Sequence, residues 1–138
     1  MNERHQHFTE KALQLISLKG FKGMTMRDLA TAMECDVANL YNYIPSKQAF
    51  LKEQLFVMSS RFHQGIDEIS ESGLSTCGQL GQLVRLYVQL TFEHPLQVAL
   101  LSNEWRHLPP ADLIAFLNER SDYEQKVKKN TIQRNPEK

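Results

Sequence analysis

Apolar residues recur at every third or fourth position over most of the chain, which is the spacing of amphipathic α-helices. The longest such run predicts one helix over residues 47–69. No stretch alternates between apolar and polar residues in the way that a half-buried strand does. The pattern therefore predicts an all-α fold. The apolar face of the long helix consists of Leu51, Leu55, Met58, Phe62, Ile66 and Ile69.

Breakers divide the rest of the chain into further helices. A first helix over residues 4–19 stops at Gly20, and a polar turn over residues 70–73 ends the long helix. Pro95 is well placed to open another helix, and Pro109-Pro110 precedes a last helix that fades into a frayed tail. The predicted apolar faces after the turn are Leu80, Leu83, Val84, Tyr87, Leu90 and Thr91, then Val98, Leu101 and Trp105, then Leu113, Phe116, Leu117, Tyr123 and Val127.

Residues 20–51 have the layout of two short helices that are joined by a tight turn and followed directly by the long helix. Thr25 and Asp28 have the spacing of a capping box, in which each side chain accepts a hydrogen bond from the other residue's backbone. Asp36 and Ser46 are the predicted N-caps of the two helices that follow. This layout is typical of a helix-turn-helix DNA reader.

These features resemble the DNA-binding domain of the tetracycline-repressor (TetR) family of bacterial regulators. The resemblance covers about the first third of the chain. It implies a DNA-binding head over residues 1–50 and a helical effector-binding and dimerisation body over residues 51–138, without a flexible linker between them. The residues that carry it are Phe8, Ala12, Leu15, Ile16, Gly20-Phe21, Thr25, Asp28-Leu29-Ala30, Leu40-Tyr41 and Ser46-Lys47.

The turn between the two short helices departs from the family pattern. Met33-Glu34-Cys35 stands where the family has a small residue, a glycine and a valine. Glycine suits the left-handed backbone of such a turn, and glutamate does not. Asp36 replaces the usual serine cap, and Tyr43-Ile44 replaces a His-Phe pair.

Candidate DNA contacts follow from the resemblance and from side-chain chemistry. Hydroxyl, amide and ammonium groups donate to phosphate oxygens, which positions a protein without reading sequence. Arginine can pair with guanine and asparagine with adenine in the major groove. The alternatives are that one tyrosine belongs to the core while the other is merely exposed, and that the base-reading positions form a solvated helix face. The candidates for phosphate contact are Tyr41, Asn42, Tyr43 and Lys47, those for base readout are Arg27, Val37, Ala38 and Asn39, and Thr25 completes the predicted DNA-binding set.

The aromatic residues of the predicted body either line a ligand cavity between helices, a usual place for small-molecule sites, or form an ordinary core. Glu104 and Arg106, which flank Trp105, would together with Arg120 either orient a ligand or form a salt-bridge lock between neighbouring helices. The lock is the favoured interpretation. The predicted ligand-binding residues are Phe62, Tyr87, Trp105, Phe116, Arg120 and Tyr123.

The charge of the chain is zero overall but is unevenly distributed. Residues 1–52 hold seven Lys or Arg against five Asp or Glu, whereas residues 53–138 hold nine against eleven. DNA affinity would therefore come from a few well-placed phosphate contacts on each of two heads, and not from a broad basic field.

Other classes of protein find little support in the composition. Cys35 and Cys77 lack the paired spacing of a zinc site or disulfide framework, and the five histidines lack metal-ligand spacing. We therefore expect surface histidines, no cofactor, no metal and no enzyme. No run approaches the ~18 consecutive apolar residues of a membrane span, and the N-terminus lacks the layout of a signal peptide, so we expect a cytoplasmic protein without membrane contact.

Taken with the resemblance, these features imply a transcriptional repressor that binds a near-palindromic double-stranded operator as a homodimer. A small apolar or amphipathic effector would enter the body, tilt the helix over residues 47–69 and change the spacing of the two heads. The alternative is a helical interaction or ligand-binding module that has the fold but no specific operator.

The expected dimer surface differs from that of the family. Family members usually carry two further long helices that pair across the two-fold axis as a four-helix bundle, whereas residues 130–138 here are polar and lack apolar periodicity. We therefore expect either a weak dimer through a substitute face, formed by the apolar sides of the last two helices, or an exposed hydrophobic patch.

Overall fold

The computed structural model describes residues 3–132 as a set of packed helices, with no strand among them. The predicted all-α fold is confirmed. None of the described helices combines the length and the apolar character that a membrane crossing requires. The elements are α1 (Glu3–Lys19), α2 (Met26–Ala32), α3 (Val37–Leu40), α4 (Lys47–Glu71), α5 (Thr76–Glu93), α6 (Pro95–Asn103), a 3-10 turn (Trp105–His107) and α7 (Pro110–Ile132).

Side-chain caps fix the starts of the helices of the head. Thr25 Oγ1 accepts a hydrogen bond from the Asp28 amide at 3.0 Å, and Asp28 Oδ2 accepts one from the Thr25 amide at 3.1 Å, so the predicted capping box is present. Ser46 Oγ accepts from the Ala49 amide at 3.0 Å, as predicted. Asp36 has the extended backbone of an N-cap, but its side chain makes no capping bond, so that predicted cap is wrong.

The capping box makes the head sensitive to acid. The Thr25 amide and hydroxyl, together with Lys19, lower the pKa of Asp28 below its ordinary value of 3.8. The carboxylate therefore contributes stability above pH 3.8, and this contribution is lost as the pH falls through the lower folded pKa.

The turn between α2 and α3 forces a glutamate into a left-handed conformation. Glu34 has φ +54°, and it is the one non-glycine residue with positive φ in the described part of the chain. The Glu34 amide donates to the Thr31 carbonyl at 3.1 Å, and the Cys35 amide donates to the Ala30 carbonyl at 3.0 Å. These two bonds form a Schellman motif, which usually places glycine where Glu34 stands.

Replacing Glu34 with Gly is expected to raise the free energy of unfolding by roughly 0.5–1 kcal/mol. Relief of the left-handed strain gains about 1–2 kcal/mol, and the extra freedom of glycine in the unfolded chain offsets part of it. Urea denaturation measures the change. Glu34→Ala is the matched control, because it removes the same charge and keeps the strain. Equal stabilisation by both variants would assign the effect to charge.

The second helix of the predicted helix-turn-helix, α3, is shorter than its apolar pattern predicts. Regular helix ends at Leu40. The Asn42 amide then donates to the Asn39 carbonyl at 3.2 Å and the Tyr43 amide to the Leu40 carbonyl at 2.9 Å, so the chain tightens to bonds three residues apart. Tyr41 therefore lies just beyond regular helix.

The predicted apolar faces of α4 and α5 agree with the structure to different extents. The predicted face of α4 is correct, because Leu51, Leu55, Met58, Phe62 and Ile66 are buried. The predicted face of α5 is correct only in part: Leu90 is buried and Leu83 is half-buried, whereas Leu80, Val84 and Tyr87 are exposed and Gln79, which lies outside the predicted face, is buried. The apolar residues of α5 occupy both the packed and the exposed side, and Gln82, Arg85, Gln89 and Glu93 form a polar stripe between them, so the apolar spacing does not identify the side that packs.

The last part of the chain also differs from its prediction. Trp105 was expected in the helix opened by Pro95, but α6 ends at Asn103 and Trp105 begins the 3-10 turn. Helix α7 continues to Ile132, farther than predicted, and the rest of the predicted frayed tail, residues 133–138, lies outside the described residues. Ion pairs of 2.9 Å join Lys52 to Asp112 and Lys126 to Asp67, so α7 runs parallel to α4.

One apolar core continues from the head into the body. Residues of α1, α2 and α3 and the first half of α4 share it with Leu100, Leu108 and Phe116. The predicted boundary between residues 50 and 51 therefore falls inside a continuous packed core, and it stays a prediction. A change in the body can reach the head through α6 and the 3-10 turn as well as along α4.

Candidate nucleic-acid interface and ligand cavity

The predicted DNA contacts differ in how far their side chains reach solvent. Arg27 on α2 is exposed, and so are Ala38, Tyr41 and Asn42 in and after α3. Asn39 and Val37 are half-buried, and Val37 packs against the head core. Thr25 is exposed, with its hydroxyl oxygen engaged in the capping box. All these roles stay predictions.

Tyr41 and Tyr43 occupy different environments. The Tyr43 ring stacks on Phe8, with 4.5 Å between ring centroids and 17° between their planes, and the Arg4 guanidinium carbon lies 5.6 Å from the Tyr43 centroid. The Tyr41 ring is exposed. The Tyr43 ring is therefore packed and the Tyr41 ring is exposed, as the alternative states. Of the two, Tyr41 is more accessible to a DNA phosphate.

Lys47 is bound to the turn between α1 and α2. Its Nζ donates to the carbonyl oxygens of Phe21 and Met24, each at 3.0 Å, and to that of Lys22 at 3.5 Å. The ammonium also lies 4.7 Å from the centroid of the Phe21 ring. Lys47 thus fixes the turn that leads into α2. The sequence did not indicate this role, because the acceptors are main-chain groups more than twenty residues away.

We expect Lys47→Met to lower the free energy of unfolding by about 1–3 kcal/mol, because three carbonyls lose a charged donor. If the ammonium also touches phosphate, the variant weakens binding to all DNA alike and reduces the log-affinity against log-salt slope by about one unit per head. Chemical denaturation and salt titrations measure the two effects.

Lys22→Met is the matched control, since it removes the same charge from the exposed side of the same turn. It should leave the free energy of unfolding within about 0.5 kcal/mol of the parent. An unchanged salt slope in Lys47→Met removes Lys47 from the interface, and equal slope changes in both variants indicate net charge and not a defined contact.

A cavity of about 280 Å³ lies between α4, α5, α6 and α7. Five of the six predicted ligand-binding residues line it, namely all except Trp105. Trp105 packs behind the cavity wall, with its ring stacked on Phe116 at 6.4 Å between centroids. The lining residues are Ser59, Phe62, His63, Tyr87, Val98, Leu101, Ser102, Phe116, Arg120 and Tyr123.

Two polar atoms in this lining are buried without a hydrogen-bond partner among the described residues: His63 Nε2 and Tyr123 Oη. Their rings meet edge to face, with 5.6 Å between centroids. The expectation that each histidine is simply a surface residue is therefore wrong for His63, and also for His107, which stacks on Phe21 at 5.5 Å. Within the described residues, no group of His, Cys, Asp and Glu side chains has the arrangement of a metal site.

Arg120 is the one permanently charged side chain among the residues that line the cavity. Its guanidinium carbon lies 5.8 Å from the Trp105 centroid, and its Nε lies 3.6 Å from a carboxylate oxygen of Glu124. Glu104 pairs instead with His107, at 3.2 Å. The predicted salt-bridge lock between neighbouring helices is therefore wrong, because the polar contacts of Glu104 and Arg120 are with residues three and four positions away in the chain.

Ring contacts connect the cavity with the head. Arg120 lies over Trp105, which opens the 3-10 turn that ends at His107, and His107 stacks on Phe21. Phe21 is in turn held by Lys47, the first residue of α4. A shift of Arg120 or Trp105 therefore has a short packed route to the turn before α2.

Residues 8–54 match the family described as bacterial regulatory proteins of the tetR family. Over 78 residues the chain is 32% identical to the HTH-type transcriptional repressor NemR of Escherichia coli strain K12. That alignment covers 53% of this chain and 39% of NemR, so the chain spans only about two fifths of this curated relative.

The fold is similar to solved regulators over nearly the whole chain. A TetR-family transcriptional regulator from Bordetella parapertussis 12822 superposes with a TM-score of 0.89 at 18% identity, covering 96% of this chain and 69% of that one. AibR, solved in complex with isovaleryl coenzyme A and operator DNA, superposes with a TM-score of 0.79 at 20% identity, covering 95% and 71%. At these identities the likeness concerns the fold.

Proposed function

We propose that this chain, whose residues 8–54 match the tetR family of bacterial regulatory proteins, is a DNA-binding transcriptional repressor that a small effector releases from a near-palindromic operator. The observation that carries the proposal is the head, where the capped helix α2 presents Arg27 to solvent, and α3 and the residues after it present Ala38, Tyr41 and Asn42. The match to a family of regulators agrees with the prediction that the chain is not an enzyme. As an operator-binding protein it would act in the cytoplasm.

Two copies are required because one half-site offers too few contacts for useful affinity. We place their contact on the α5 outer face, which consists of Cys77, Leu80, Gly81, Val84, Val88 and Phe92. Leu80, Val84, Val88 and Phe92 are 56%, 57%, 63% and 86% exposed. The last two helices, where the substitute surface was expected, contribute exposed Ile114 and Leu117 on α7.

A second copy of the same face suits the α5 outer face better than a charged partner does. The face itself has no charged residue, since Glu93 lies off it and Arg85 only borders it, one helical turn from Gly81 and Val88. A Cβ on Gly81 would meet nothing within 4 Å, so packing within the described chain gives no reason for a helical glycine that costs roughly 0.5–1 kcal/mol. A glycine at this position lets a second helix approach closely.

The effector would bind in the cavity between α4, α5, α6 and α7. Its binding would move Arg120 and Trp105, and the 3-10 turn would transmit the shift to Phe21 and the start of α4. The effector acts only if it binds the released arrangement of the heads more tightly than the operator-bound arrangement. This is the coupling that a repressor requires.

Selection from a pool of random duplexes tests the proposal. We expect a near-palindromic site to be enriched and bound at least about a thousandfold more tightly than scrambled DNA. Binding that depends on salt but not on sequence would reject the operator. It would instead favour a helical interaction or ligand-binding module.

A further inference from the structure

We propose that the cavity takes a small amphipathic anion, with an apolar body among the aromatic side chains, a carboxylate on Arg120 and a second polar group at Tyr123 and His63. The inference rests on the proposed function only in naming the cavity as the effector site. Its test uses the free protein without DNA.

The volume limits the size of the ligand. A cavity of about 280 Å³ lies at the lower end of ligand pockets and holds roughly ten non-hydrogen atoms. Phe62, Phe116, Val98 and Leu101 give it apolar walls. A short aliphatic or aromatic acid fits this space, whereas a ligand of coenzyme A size would have to remain largely outside.

Arg120 is available to a carboxylate at low cost. Its partner Glu124 is exposed, as is Arg120 itself, and an exposed ion pair of this kind contributes only about 0–1 kcal/mol. A guanidinium binds a carboxylate through two parallel N–H donors, which is stronger and more directional than the observed single contact. Burial raises the pKa of the nearby Tyr87 phenol, so this group stays neutral and does not repel an anion.

Tyr123 and His63 define the other end of the ligand. Leaving a buried polar atom without a partner costs about 1–3 kcal/mol, and the lining contains two such atoms whose rings touch. A hydroxyl or carbonyl oxygen on the far end of the ligand would satisfy them once a shift of the two rings opens these atoms to the cavity, since neither is accessible in the unliganded structure. A purely apolar ligand would leave both atoms unpaired, which argues for polarity at both ends.

Two pairs of equal-sized probes test the charge: 4-hydroxyphenylacetate against 4-hydroxyphenylacetamide, and octanoate against octanamide. Calorimetry measures affinity, and fluorescence of Trp105, the one tryptophan of the chain, reports whether Arg120 moves. We expect at least one acid to bind roughly tenfold or more tightly than its amide, since a charged hydrogen bond is lost in the amide. Equal affinities within both pairs, or no binding of either acid, would overturn the proposal.

Substitutions test whether Arg120 and Tyr123 bind the acid. Arg120→Gln should reduce the affinity of the acid to that of its amide. Arg106→Gln is the matched control, because Arg106 also lies over Trp105, at 5.2 Å, but does not line the cavity; it should leave the affinity unchanged. Tyr123→Phe should abolish any preference for 4-hydroxyphenylacetate over phenylacetate, and a preference that persists would remove Tyr123 from the site.

The ligand assignment and the proposed function can be rejected independently of each other. Acid binding without an enriched operator would support the ligand assignment and reject the repressor. An enriched operator without acid binding would support the repressor and reject the ligand assignment. Circular dichroism of each variant confirms that the helices are retained.

Discussion

Arg27→Ala is expected to weaken binding to the selected operator by roughly 1–3 kcal/mol per head, or about 2–6 kcal/mol for a dimer, while binding to random DNA changes little. Arg27 lies in the first turn of α2, is exposed, and makes no side-chain hydrogen bond or ion pair with the described residues. Its guanidinium is therefore free to take both acceptors of a guanine. Titration of the operator and of a scrambled duplex at one salt concentration measures the difference.

Arg27→Lys separates charge from geometry. Lysine keeps the charge but lacks the planar fork of donors. We therefore expect it to retain binding to random DNA and to lose most of the preference for the operator. If Arg27→Ala weakens both duplexes equally, Arg27 is a phosphate contact, and base readout would depend on Ala38 and Asn39.

Local chemistry made the starts of the helices predictable. Thr25 and Ser46 cap through atoms three residues away, and Pro95 and Pro110 begin helices because their rings already have helical φ. The apolar spacing of α4 identified its buried side, since the opposite side is polar. These features depend on neighbours within one or two turns, so the sequence contains the information directly.

Contacts between distant residues were not predictable in the same way. Lys47 binds the carbonyls of Phe21, Lys22 and Met24, and a carbonyl is the same at every position, so no side chain indicates the pairing. The sequence did not indicate the burial of His63 Nε2, because this burial depends on how α7 packs along α4. The cavity depends on the packing of four helices, although the aromatic residues that line it were identified from the sequence.

The face of α5 shows where periodicity fails. Leu83, Leu86 and Leu90 turn toward the body, while Leu80 and Val84 turn away, so both sides of the helix are apolar. A row of large apolar side chains exposed on one side of a helix normally marks an interaction surface. Within residues 3–132 one side of α5 stays uncovered, which is the physical basis for placing a second copy there.

Val84→Glu is accordingly expected to abolish association of the wild-type chain and to reduce operator affinity to that of a single head, a loss of about 10²–10⁴-fold from removing the linked second site. The α5 outer face consists of six residues, fewer than the roughly 20–30 residues a side of a standard interface, so the wild-type dimer should dissociate within the micromolar range. A buried carboxylate opposite its own copy cannot be accommodated there. Sedimentation equilibrium without DNA, followed by operator titration, measures both effects.

Gln82→Glu is the matched control, because it adds the same charge to an exposed position of α5 that lies off the face. It should leave both measurements unchanged. Association of Val84→Glu at wild-type strength would move the dimer contact to another surface, with Ile114 and Leu117 of α7 as the next exposed apolar residues. A wild-type chain that stays monomeric at every concentration would leave each head alone on its half-site. Autonomous repression would then fail, and the fold would serve better as an interaction module.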